Sequence, residues 1–180
     1  MKKQLSLIIS LCAAILFASC DKTETFDDKW KLDNEAQFNT IANDPAYEKI
    51  ESASKQGFIM YTVIESGNGA TPFFNETVKV RYTGWFKRDW SRLEDTYKDD
   101  QGNTIYNKVV FDSTERNTFL TLKVNQFVDG FSTALQHMQV GDKWEIWIPW
   151  KLGYGATKQG NIEAYTTLVF EVELVGIVKE

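Results

Sequence analysis

VNQFVDGFSTALQHMQVGDKWEIWIPWKLGYGAT, residues 124–157, changes its hydrophobic period halfway along, and that change decides the fold. In the first half Phe131, Leu135 and Met138 stand at i, i+4 and i+7, one face of a helix, and Gly141 supplies a stop. In the second half KWEIWIPW (143–150) alternates with a period of two, the signature of a strand, and runs into a glycine-rich loop. Outward from this stretch the alternating pattern dominates. FIMYTVIE from Phe58 reads as a strand closing in the turn Gly67-Asn68-Gly69, and VKVRYTGWF (78–86) reads as another. Residues 109–111 resume a strand, LKVN (122–125) leads into the helix, and TTLVFEVELVGIV (166–178) ends the pattern. Many strands around one central helix predict an α+β domain.

The 180 residues are 43% hydrophobic and 25% charged, enough for one domain with extensions and a core of ordinary size. With 20 basic residues against 25 acidic ones, the net charge of −5 opposes a surface that tracks phosphates, so no nucleic-acid partner is expected.

The first twenty residues, MKKQLSLIISLCAAILFASC, carry Lys2 and Lys3, an apolar run and a small-residue end, the pattern of a secretion signal over 1–19. Leu16-Phe17-Ala18-Ser19-Cys20 resembles a bacterial lipobox, which makes Cys20 the expected lipidated residue and the membrane a partner through an N-terminal lipid anchor. Cys12 falls inside the signal, so the exported domain has no free thiol for a disulfide, a nucleophile or a metal. Residues 20–57 read as a tether and a helical extension. The charged run 21–33 suits a solvated tether, Asn34 is placed to cap a short helix carrying Phe38 and Ile41, and Asp44-Pro45 to open a second carrying Tyr47 and Ile50. The domain proper is expected over 58–180.

Residues 87–108 are polar but hold Trp90, Leu93, Tyr97, Ile105 and Tyr106 around an Asp100-Gln101-Gly102-Asn103 turn, which predicts a long hairpin. Trp147 should face away from Ile146 and Ile148, so an exposed aromatic patch is expected there.

His137 is the single histidine and sits off the apolar stripe of its helix, a solvent-facing place; a histidine metal cluster cannot form. Gly153-Tyr154-Gly155 has no following helix and so is no phosphate loop. Twenty-five carboxylates make some close pair inevitable, so their number argues for no hydrolase. Neither a metal nor a cofactor is called for. What stands out is the density of aromatic residues at strand ends and around the helix start: Tyr82, Phe111, Phe127, Phe131, Tyr154 and Phe170.

Taken in order, VKVRYTGWF, VFDST, the stretch 124–157 and TTLVFEVELVGI resemble the FKBP-type peptidyl-prolyl cis-trans isomerases, over about 120 residues from Phe58 onward. The resemblance implies a half-barrel of antiparallel strands wrapped around one short helix, with a shallow apolar pocket between them. It implies a pocket walled by Tyr82, Phe111, Asp112, Phe127, Val128, Phe131, Tyr154 and Phe170, with Ile162 as a further substrate contact. It also implies that the Tyr154 hydroxyl and the Val128 backbone N–H offer hydrogen bonds to the substrate carbonyl. Phe131 stands where the family typically has Trp, and Ile162-Glu163-Ala164-Tyr165 where it has an Ile-Pro-Pro segment. The expected function is isomerisation of X-Pro bonds in proline-containing polypeptides of the bacterial cell envelope, without cofactor. The preferred location is the outer membrane, on its periplasmic or surface face. A non-catalytic FKBP-like binding or chaperone module for envelope proteins or glycans is the alternative.

Overall fold

A computed structural model describes residues 25–114 and 118–178. The signal segment and Cys20 lie outside the described residues. The chain opens with helix α1 (Phe26–Ala42) and then forms strands β1 (Glu48–Glu51), β2 (Phe58–Glu65) and β3 (Thr77–Lys87). The hairpin strands β4 (Thr96–Lys98) and β5 (Thr104–Tyr106) follow, then β6 (Lys108–Ser113) and β7 (Leu120–Lys123). A 3-10 turn at Val124–Gln126 leads into helix α2 (Asp129–Leu135), and β8 (Lys143–Ile148) and β9 (Leu168–Ile177) complete the fold. Seven strands make one antiparallel sheet in the order β1-β2-β8-β9-β3-β6, with β7 also on β3. The long β3 is shared: Thr77 to Val80 pair with β7, and Thr83 to Lys87 pair with β6.

The sheet curls around α2, all of whose residues from Gly130 to Leu135 are buried. Ile59, Ile146, Ile148, Phe131, Leu135, Met138 and Leu174 are among the largest fully buried side chains of this core. Gly130 is what lets helix and sheet touch, because a Cβ there would stand 2.4 Å from Ile148 Cγ2. His137 follows the helix and is exposed, as its position off the apolar stripe requires.

The N-terminal region differs from the expectation of a tether and two short helices. One helix runs from Phe26, inside the supposed tether, to Ala42. Its cap is Thr25, whose side chain accepts the Asp28 N–H while the Asp28 carboxylate accepts the Thr25 N–H, a reciprocal capping box. Asn34 is no cap. It lies mid-helix, fully buried, among Trp30, Phe38 and Ile41. Its amide accepts from Trp90 Nε1 at 3.0 Å and from the Thr167 N–H at 2.8 Å, tying α1 to the 87–108 segment and to the start of β9. A polar residue in the stripe hides the helix from a hydrophobicity reading. The second expected helix is instead a turn, closed by Asp44 accepting the Ala46 N–H, followed by β1 on the edge of the sheet. Pairing with β2 overrides the local helical preference.

Residues 87–108 form the expected hairpin, with Asp99 accepting the N–H groups of Gln101 and Asn103 across the turn. Its root packs on the sheet face turned away from α2. Trp147 does point opposite to Ile146 and Ile148, yet it is only 5% exposed, so the expected aromatic patch is covered. Trp90 lies 5.5 Å from its ring, Trp85 6.0 Å and Tyr47 6.4 Å.

Candidate active site

Parity along the strands places the site. On β3, Tyr82 and Gly84 pair with Val172 and Phe170 of β9, which turn toward α2. Opposite them β6 shifts register: Gly84 pairs with Asp112 and Trp85 with Val110, leaving Phe111 as an extra residue. Such a bulge lets two consecutive side chains serve one face, where regular alternation would part them. Phe111 and Asp112 thus look into the same cleft. Gly84 makes room for the rings, since a Cβ there would meet Phe170 Cε1 at 2.5 Å and Phe111 Cζ at 2.7 Å.

The cleft is an open hollow of about 250 Å³ between the sheet and the start of α2, lined by Tyr82, Phe111, Asp112, Phe127, Val128, Phe131, Tyr154 and Phe170. That is below the ~300–1,000 Å³ of drug-sized pockets, a volume for one or two residues rather than a cofactor. Its floor is a set of rings in alternating orientation. Phe131 stacks on Phe127 at 4.7 Å and meets Phe170 edge-on at 5.0 Å, while Phe111 meets Phe170 edge-on at 5.4 Å. Edge-to-face contacts in sequence lock the rings against one another.

Few polar groups enter this box. Tyr82 donates its hydroxyl to Asp112 Oδ2 at 2.5 Å. Burial first, and then that bond and the carboxylate's charge, push the Tyr82 phenol well above the ordinary tyrosine range. Burial and the charge of Asp112 raise the Tyr154 phenol as well, so both tyrosines stay protonated donors far above neutral pH. Tyr154 is 38% exposed and, among the described residues, its hydroxyl has no protein partner. The Val128 N–H likewise donates to no described acceptor, because Val128 is the N-cap residue of α2, ahead of the first intrahelical bond. Two donors are therefore free beside a floor of rings. Among the described residues, no group of three His, Cys, Asp or Glu side chains is placed to hold a metal ion.

Of the residues named from sequence, eight come together here and Ile162 does not. Gln159 and Ile162 exchange backbone hydrogen bonds at 2.9 Å in each direction, and this tight turn tucks the Ile162 side chain into the core at 5% exposure. Leu120, Leu122 and Gln126 also line the cleft and were missed. The alternation of Leu120-Thr121-Leu122-Lys123 was the available signal for the two leucines.

A family model described as FKBP-type peptidyl-prolyl cis-trans isomerase matches residues 69–175. The outer membrane protein MIP of Legionella longbeachae is 33% identical over 123 residues, which are 67% of this chain and 45% of the relative. The FKBP-type 22 kDa peptidyl-prolyl cis-trans isomerase of Escherichia coli K12 is 33% identical over 149 residues, 78% of this chain and 63% of the relative. This chain thus spans about half the length of such curated relatives. A crystal structure of a peptidyl-prolyl cis-trans isomerase from Pseudomonas syringae superposes with a TM-score of 0.62 at 27% identity, covering 86% of this chain and 97% of that one. With sheet, helix and aromatic cleft all in place, the match over residues 69–175 means that this chain belongs to the FKBP-type peptidyl-prolyl cis-trans isomerase family.

Proposed function

We propose that the chain catalyses cis–trans isomerisation of X-Pro peptide bonds in polypeptides of the bacterial envelope, assisting their folding, with the cleft as its active site. The barrier to be lowered, ~18–20 kcal/mol, is the loss of amide resonance as the C–N bond twists. A planar amide has the more polar carbonyl, and moving it from water into a box of rings disfavours it more than the twisted form. Tyr154 and the Val128 N–H, held by rigid neighbours, donate to substrate backbone carbonyls that come within reach only when the chain bends at the twisted bond, which is differential binding of the transition state. In this reading Asp112 positions Tyr82 through their hydrogen bond, and Phe131 and Phe170 seat the pyrrolidine ring. No group needs to gain or lose a proton.

The observation that carries this reading is the convergence of Tyr82, Phe111, Asp112, Val128, Phe131, Tyr154 and Phe170 on one hollow with two unengaged donors. The test is the exchange rate of an X-Pro peptide followed by NMR. The wild type should accelerate it, and Tyr154→Phe and Asp112→Ala should each reduce kcat/KM about tenfold, the worth of roughly one hydrogen bond. Binding of unfolded protein with no acceleration by the wild type would replace the enzyme with a binding module. The name of the Legionella relative supports an envelope location. The pattern of residues 1–20 supports a lipid on Cys20, just ahead of the α1 cap. Lipid labelling that survives Cys20→Ser would move the lipid off Cys20, and no labelling of the wild type would remove the anchor.

A further inference from the structure

The cleft does not end at Phe127. That residue also lines a second open hollow, of about 620 Å³, whose base is the stripe Asp129, Ser132, Thr133 and Gln136 of α2 and its C-cap. These positions are i, i+3, i+4 and i+7, one face of the helix. Phe74 and Gln136 in turn join this hollow to a third, of about 570 Å³, lined by Pro72 and Phe73. Three depressions thus run in series, each sharing a side chain with the next.

The far end of this track exposes large apolar side chains on fixed backbone. Phe73 is 73% exposed and Phe74 52%. The Glu76 carboxylate accepts the Phe73 N–H at 2.7 Å, and the Phe74 carbonyl accepts the Asn125 N–H at 3.1 Å, in the 3-10 turn that leads to Phe127. The two rings are held in water rather than folded into the core, an arrangement that calls for an occupant. Among the described residues Asp129 is the one ionisable residue lining the second and third hollows, and its Oδ1 already accepts from Ser52 at 2.7 Å. Among the described residues no cation lines the track, so it repels an acidic segment, while Phe73, Phe74 and Phe127 give an apolar side chain its contacts amid polar neighbours.

We propose that this track holds the stretch of client polypeptide that flanks the proline, seating a large apolar side chain against Phe74. The proposal rests on the X-Pro bond occupying the cleft, as argued above. The seven residues of α2 span roughly 10 Å at ~1.5 Å each. An extended chain rises ~3.3 Å per residue, so about three residues cross this length and the anchoring side chain beyond it falls about four residues from the proline. Phe127 acts in both places, as a wall of the cleft and as the threshold of the track.

The test uses the full chain and matched ten-residue X-Pro peptides that carry Phe or Ser four residues before, or four residues after, the proline, beside a four-residue X-Pro peptide. The wild type should turn over the Phe peptide at least fivefold faster in kcat/KM than the Ser peptide in one of the two placements. Phe74→Ala and, separately, Phe73→Ala plus Phe74→Ala should bring that ratio close to one, with the four-residue peptide unchanged within twofold. Equal rates for Phe and Ser peptides in both placements, or a preference that survives the double variant, would overturn the proposal. Should no peptide be accelerated by the wild type, the catalytic reading falls by itself. The track is then judged by fluorescence anisotropy of the same peptides, where a Phe preference abolished by Phe74→Ala supports it and equal binding overturns it.

Discussion

Gly84→Ala tests the geometry of the cleft by pressing on its aromatic floor, leaving every side chain of the cleft chemically unchanged. The added Cβ would lie 2.5 Å from Phe170 Cε1 and 2.7 Å from Phe111 Cζ, against 3.4–4 Å for ordinary contact. Both rings must then retreat by about 1 Å, and overpacking of this kind costs about 1–3 kcal/mol. Phe170 is 5% exposed and braced edge-on by Phe131 at 5.0 Å and by Phe111 at 5.4 Å, so the strain passes into the floor of the site rather than into solvent. At roughly 2–4 °C per kcal/mol the melting temperature should fall by roughly 2–12 °C. A displacement of ~1 Å at reacting groups can cost as much as 100-fold, so kcat/KM for an X-Pro peptide should fall ten- to a hundredfold. The control is Gly176→Ala on β9, where a Cβ meets nothing within 4 Å and φ is not positive. There the relief of glycine's backbone entropy should leave stability unchanged or raised by up to ~1 kcal/mol. The reasoning is refuted if Gly84→Ala keeps kcat/KM within twofold of wild type and melts together with Gly176→Ala.

Two further outcomes follow from the same structure. Asn34→Ala should lower stability by roughly 2 kcal/mol or more, because it strands two buried donors, Trp90 Nε1 and the Thr167 N–H, at about 1–3 kcal/mol each. Urea unfolding checks this, and a midpoint equal to wild type would contradict it. Alkaline pH should unfold the protein early. Burial, and then hydrogen bonds to Glu145 and Glu48, push Tyr47 and Tyr61 up to about 12 from 10.0. Between those values the unfolded chain holds fewer protons than the folded one, so stability is complete below pH 10 and falls as pH rises toward 12. Tyr61→Phe should flatten that fall, and an unaltered slope of urea midpoint against pH would rule the explanation out.

The periods of hydrophobicity alone located α2 and the main strands, and the order of their motifs was enough to name the aromatic residues of the cleft. Those signals are local: a side chain's spacing along its own element says which face it shares, whatever lies across from it. Local spacing could not reveal that Phe111 and Asp112 line one cavity, since adjacent residues on a regular strand part to opposite faces. The β6 bulge that unites them exists only through its pairing with β3. The same limit hid the cover over Trp147, whose direction was legible but whose neighbour Trp90 arrives from the distant 87–108 segment. It hid α1 as well, because Asn34 looks like a cap until Trp90 and Thr167 are brought to it. Ile162 was misplaced for a related reason: its turn is closed by a backbone pair with Gln159, and only the packed core decides where its side chain goes. Composition and period determine which residues must be buried; long-range pairing decides against what, and therefore which of them are left to meet a substrate.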